Sequence, residues 1–103
     1  MKLLAVTACP SGVAHTYMSA EALQIACEKA NVEIKVETQG SIGRENIITK
    51  DDVQQCDAVI LTKDMPIIEE ERFEGKPVLK VGVSQAIKQA DAIIAGIQKK
   101  LNA

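Results

Sequence analysis

Leu3-Leu4-Ala5-Val6-Thr7-Ala8, followed by Cys9-Pro10-Ser11-Gly12 and then by a helical pattern over residues 14–30, decides how this chain folds. The opening run is continuously apolar instead of alternating, the pattern of a strand covered on both faces in a parallel sheet. The helix that follows is expected to turn Met18, Ala22, Ile25 and Ala26 inward and Glu21, Gln24 and Glu28 outward, with Asn31 as its C-terminal stop. Strand, short loop and helix together open a βαβ unit.

Working outward, residues 32–38 alternate Val32, Ile34 and Val36 against Glu33, Lys35 and Glu37, which predicts a half-exposed edge strand. Gln39-Gly40-Ser41-Ile42-Gly43 reads as a glycine-punctuated loop at its end. Thr49, with Asp51 and Asp52 behind it, predicts the N-cap and first turn of a short helix ending near Cys56. Residues 57–62 read as another buried strand, residues 63–76 as a charged connection, and residues 77–81 as a fourth strand. Ser84 is expected to cap one long final helix, whose stripe is Ala86, Ala90, Ile93, Ile94, Ile97 and Leu101. The economical architecture is α/β: a four-stranded parallel open sheet in the order 2-1-3-4, with helices on both faces in a Rossmann-like three-layer arrangement. In that order the winding reverses between the first and third strands, and ligands of open α/β sheets bind at such a switch point, at the carboxyl ends of the strands. Cys9 stands at that edge.

At 103 residues the chain has room for one domain, residues 1–103. A formal net charge of −2 and only two aromatic side chains, Tyr17 and Phe73, argue against a sequence-independent grip on nucleic acid. Three cysteines without C-x-x-C spacing and a single histidine fit a reducing compartment, and no metal site or cofactor is expected. Val6-Thr7-Ala8-Cys9 behind Lys2 looks like a lipoprotein lipidation box. However, its apolar stretch, residues 3–8, is shorter than the roughly 7 to 15 residues of a signal core, and an amphipathic helix begins at once. With no run of about 18 apolar residues either, the expectation is a cytoplasmic protein that does not insert into the membrane.

The chemistry lies in the loop. Backbone N–H groups of small residues at a strand-to-helix turn converge on one anion, and the helix adds its positive end. The same field favours the thiolate, the nucleophilic form of Cys9. Pro10, Ser11, Gly12, Val13, Ala14, His15 and Thr16 form the expected phosphate-binding segment; Pro10 itself has no N–H, which leaves the amides from Ser11 to Ala14 as donors. The spacing C-x-x-x-x-x-H-T parallels the C-x-x-x-x-x-R-[ST] loop of cysteine-dependent phosphatases, with His15 in the arginine position. Imidazole lacks the permanent charge and planar fork of guanidinium, so this loop should stabilise hydrolysis less and favour a carrier of the phosphoryl group. On the residues alone three readings stay open: phosphoryl carrier, cysteine phosphatase, and non-catalytic phosphate-binding module. Asp64 is either a general acid or, more ordinarily, a turn cap. Tyr17, beside the loop, and Gln39, Gly40 and Ser41, near the same sheet edge, are offered as contacts for a partner. Cys27 and Cys56 read as small packing residues, and Glu69-Glu70-Glu71 as a solvated surface.

The run Thr7-Ala8-Cys9-Pro10-Ser11-Gly12-Val13-Ala14-His15-Thr16-Tyr17-Met18, followed by Ala20-Glu21-Ala22-Leu23, resembles the active-site signature of fructose-type IIB components of the bacterial phosphoenolpyruvate-dependent sugar phosphotransferase system. Residues 37–43 are similar to a second signature of that family, and Glu71-Arg72-Phe73 with Gly75-Lys76 to a third. Ser11 stands where threonine is common, and residues 64–68 are less typical. The resemblance implies that Cys9 accepts a phosphoryl group from a histidine of a IIA partner and passes it to a sugar held by a membrane-embedded IIC partner. A carrier that meets two partners in turn works naturally as a monomer.

Overall fold

A computed structural model describes residues 1–10, 13–40 and 43–101. In chain order the elements are β1 (Lys2–Thr7), α1 (Val13–Lys29), β2 (Glu33–Gly40), β3 (Gly43–Glu45), α2 (Lys50–Gln55), β4 (Ala58–Thr62), a 3-10 turn (Glu70–Phe73), β5 (Val78–Val81), α3 (Val83–Lys88) and α4 (Ala90–Leu101). The sheet has five strands in the order β3-β2-β1-β4-β5. All pairings are parallel except β2 with β3. The α/β class therefore holds, while the four-stranded, all-parallel sheet does not. A short antiparallel strand, folded back from β2, adds a fifth member and makes β3 the edge in place of β2. Of the stretch expected to be a loop, Gln39 and Gly40 belong to β2 and Gly43 opens β3, with Gly40 opposite Gly43. Gly43 sits at φ +114°, backbone that only glycine adopts without strain.

β1 explains the two-sided packing. Leu3 and Ala5 enter one core with Leu23, Ala26, Cys27, Val36, Ile60, Ala86 and Ile94. Leu4, Val6 and Ala8 enter a second core with Ile48, Val53, Val59, Leu61, Ile67 and Phe73. Successive side chains of a strand point to opposite faces, so a strand that is apolar at four successive positions, Leu3 to Val6, must be covered twice. Helices α1, α3 and α4 supply residues to the first core, and α2 with the 3-10 turn to the second.

Several local expectations are corrected. The buried face of α1 is Thr16, Ser19, Ala20, Leu23, Ala26 and Cys27, while Met18 and Ile25 are exposed. The small residues let α1 lie close to the sheet, and the Thr16 carbonyl accepts from both the Ser19 hydroxyl and the Thr7 hydroxyl, which makes a polar start to that face tolerable. The final helix is two helices, broken at Gln89 (φ −126°, ψ 27°). Its start is not capped by Ser84, which lies inside α3; instead the Val83 N–H donates to Asp64 Oδ1 at 2.8 Å and the Gly82 N–H to Gln85 Oε1 at 2.9 Å. Thr49 does cap α2, in a reciprocal pair with Asp52.

Candidate functional site

β1 lies inside the sheet, and its last residue, Thr7, is level with Thr38 of β2. Beyond it the chain is fastened before it turns. Thr62, the last residue of β4, accepts a hydrogen bond from the Ala8 N–H at 3.0 Å and donates one to the Ala8 carbonyl at 3.1 Å. Next comes Cys9, half-buried, and then exposed Pro10 in a turn. On the far side of the loop Val13 opens α1, and Ala14 and His15 are exposed in its first turn. That turn is tied back to the strand by the Thr7 hydroxyl, which donates to the Thr16 carbonyl at 3.1 Å. Both ends of the loop are thus anchored by threonine hydroxyls. Ser11, Gly12 and Ser41 lie outside the described residues.

Thr16 itself is buried, and its Oγ1 has no hydrogen-bond partner among the described residues. A hydroxyl left unsatisfied away from water costs about 1–3 kcal/mol. Such a group, at the base of a helix N-terminus, is suited to meet an anion seated there.

Around this edge the other singled-out residues take different places. Tyr17 is half-buried and its hydroxyl donates to Glu45 of β3, which raises its pKa. Gln39 is buried, and its amide grips Ile68 from both sides: the Ile68 N–H donates to Oε1 at 2.9 Å, and Nε2 donates to the Ile68 carbonyl at 3.2 Å. Its side chain supports the rim from within and is not offered to a partner. Gly40 ends β2, half-buried. Asp64 caps α3, the ordinary of its two readings. Cys27 and Cys56 are buried; burial pushes the Cys27 thiol up to about 11, and raises that of Cys56 as well. Both sit in packing positions.

The feature that sequence patterning misses is Glu37. Expected on an exposed face, it is fully buried. Its Oε1 accepts from the Ile48 N–H at 2.8 Å and from Arg72 at 2.7 Å; its Oε2 accepts from Gln39 at 2.7 Å, from Arg44 at 3.0 and 3.2 Å, and from Arg72 at 3.2 Å. Burial pushes the carboxyl upward, but the hydrogen bonds from Arg72, Gln39, Ile48 and Arg44 outweigh it and hold the pKa at about 2. Arg72 goes on to donate to the carbonyls of Ile48, Ile68 and Glu69, and its guanidinium lies 4.8 Å from the centre of the Phe73 ring. Arg44 also pairs with Glu69. Glu37 and Arg72 lie in the two secondary signature stretches, which are thus one structure. Two arginines within a chain of modest charge are the only sequence hint of a buried acid.

Residues 4–96 match the family model described as PTS system, Lactose/Cellobiose specific IIB subunit. This chain belongs to the phosphotransferase-system IIB family. Among curated relatives, the IIB domain is 59% identical over 100 residues to the PTS system fructose-like EIIB component 2 of Escherichia coli (strain K12), covering 97% of this chain and 94% of that one. It is 45% identical over 93 residues to the PTS system fructose-specific EIIABC component of Bacillus subtilis (strain 168), a match spanning 90% of this chain but 14% of that protein. A solved structure described as predicted fructose-specific IIB from Escherichia coli superposes with a TM-score of 0.90 at 35% identity, over 99% of this chain and 90% of that one. The relatives place this IIB domain among the fructose-type members, and the Bacillus protein carries a similar region within a longer EIIABC chain. Among the described residues no helix is long and apolar enough to cross a membrane.

Proposed function

We propose that this IIB domain carries a phosphoryl group on Cys9, taking it from a phosphohistidine of a IIA partner and giving it to a fructose-type sugar held by a membrane-embedded IIC partner. In the first step the Cys9 thiolate sulfur attacks phosphorus. The S–P bond forms as the P–N bond breaks, and the electron pair returns to the imidazole nitrogen, which takes up a proton. In the second step a sugar hydroxyl oxygen attacks the same phosphorus, losing its proton to a base in the partner's site, and the thiolate leaves. Positioning and electrostatic stabilisation are most of what such a transfer needs. The loop is read as supplying both through the amides of Ser11, Gly12, Val13 and Ala14, with His15 and the Thr16 hydroxyl beside them and Pro10 shaping the turn. The domain is read as cytoplasmic and as meeting its partners one at a time as a monomer.

The observation that carries this reading is the position of Cys9, just beyond the carboxyl end of an interior strand, between an Ala8 fastened by Thr62 and the start of α1. Absence of an arginine at position 15 favours a phosphoryl group that survives until an acceptor arrives over one that is hydrolysed at once. The test supplies a phosphohistidine-bearing IIA protein with labelled phosphate to the wild type and to Cys9→Ser. Stable label on the wild type and none on the variant is the expected result. Rapid release of inorganic phosphate would favour a phosphatase, and absence of label on the wild type would overturn the relay.

A further inference from the structure

Resting on the relay reading above, we propose that the Thr16 hydroxyl is the group through which loading of Cys9 stabilises the fold. Unpaired in the unphosphorylated chain, it donates to a phosphoryl oxygen in the phosphorylated one. The loaded domain is then the more stable of the two, and the transfer equilibrium is drawn towards it. Thr16 is 1% exposed, and among the described residues its Oγ1 is the one buried side-chain oxygen or nitrogen with no hydrogen-bond partner. A helical threonine can settle its hydroxyl on a carbonyl of the preceding turn. Ser19, on the same face, does so, donating to the Thr16 carbonyl at 2.9 Å. The hydroxyls at the neighbouring strand ends are occupied too, Thr7 on the Thr16 carbonyl and Thr62 on the Ala8 carbonyl, each at 3.1 Å.

Direction and place give the acceptor. In an α-helix each Cα–Cβ bond leans towards the N-terminus, so the Thr16 side chain leans towards the first turn of α1. It does so on the helix face that the Thr7 hydroxyl ties to the end of β1, two residues before Cys9. The N–H groups of that first turn have no partner inside the helix, and no acidic side chain stands among them, so this end favours an anion. Cys9 is among the described residues, so its sulfur is not the hydroxyl's partner. A phosphoryl group on that sulfur carries oxygens further out, by the S–P and P–O bonds, and offers the hydroxyl a charged acceptor. The exchange is that of the relay: S–P forms as P–N breaks, and the hydroxyl keeps its proton. A bond to a charged acceptor is stronger than a neutral one, whereas the same hydroxyl unpaired bears its desolvation unrelieved. By linkage the difference appears twice, as added stability of the phosphorylated domain and as a bias of phosphoryl exchange towards Cys9.

The test compares wild type with Thr16→Val, which keeps the shape without the hydroxyl, and Thr16→Ser, which keeps the hydroxyl. Label is equilibrated between a phosphorylated IIA protein of the fructose-type system and each IIB domain. The ratio of label on Cys9 to label on the donor should fall ~10-fold in Thr16→Val, as for loss of one hydrogen bond to a charged group, and Thr16→Ser should recover most of it. Unphosphorylated Thr16→Val should unfold at a denaturant midpoint no lower than wild type, because only an unpaired hydroxyl has gone. Phosphorylation should raise its midpoint less than it raises that of wild type. Iodoacetamide should alkylate unphosphorylated Cys9 with the wild-type pH profile. A lowered midpoint or a failure to fold in unphosphorylated Thr16→Val overturns the proposal, since the hydroxyl would then already be paired. So does a wild-type label ratio, and so does a displaced alkylation profile, which assigns the hydroxyl to the thiolate. Each of these leaves the relay standing, whereas a wild type that takes no label overturns both.

Discussion

The buried carboxylate of Glu37 is the residue on which most of the rim depends, and its loss should be visible in both stability and pH response. Its pKa is about 2 in the fold against an ordinary 4.5, so the folded state favours the ionised form. A lowered folded value gives stabilisation that is complete above about pH 4.5 and lost as pH falls from there towards 2; the shift corresponds to ~3 kcal/mol. Glu37→Gln strands Arg72 and leaves Arg44 to Glu69 alone, and denaturant unfolding at pH 7 should show a loss of ~3 kcal/mol. The gap between variant and wild type should narrow between pH 4.5 and pH 3; a gap that stays constant over that range would remove the linkage. The residue was illegible in the sequence for a physical reason. Alternation over residues 32–38 assigns Glu37 to the polar face, and the arginines that justify burying it come from 7 and 35 positions away, a pairing no local period encodes. Cys9 was legible because its cue is local: a fully apolar run ends one residue before it, and a small-residue loop begins one residue after.

Among the elements, α3 tests what Asp64 does. The side chain accepts from the first N–H of that helix, so Asp64→Ala should lower stability by ~1 kcal/mol, the usual cost of losing a cap. Label transfer to Cys9 should remain within ~2-fold of wild type, a change of under half a kcal/mol in barrier. A large drop in transfer with an unmoved denaturation midpoint would make Asp64 the proton donor instead. The longer elements were largely readable, since β1, α1, β2, α2, β4 and β5 all occur within a few residues of where periodicity and capping signals put them. Two failures have a common cause. β3 is three residues long and carries no period, and the break at Gln89 falls between two stretches that each continue the same apolar stripe. The rotated face of α1 has another origin: the buried Ser19 hydroxyl is satisfied by the Thr16 carbonyl, a local backbone bond that hydropathy does not register.

For the molecule as a whole, β1 belongs to both cores, and neither can come apart while it stays in place. Heat should therefore melt the domain in one transition, with calorimetric and van't Hoff enthalpies equal. Phe73→Ala in one core and Ile94→Ala in the other should each cost ~3–4 kcal/mol and shift that single transition, as large-to-small changes in packed interiors do. Two resolved transitions in either variant would show that the faces melt separately. The Glu37–Arg72 contact also has a bearing on how such a chain can change over generations. Losing Glu37 first leaves Arg72 without a carboxylate, whereas losing Arg72 first leaves Glu37 with Arg44 as its counterpart. The order of change is therefore constrained: a lineage that leaves this arrangement gives up Arg72 before Glu37.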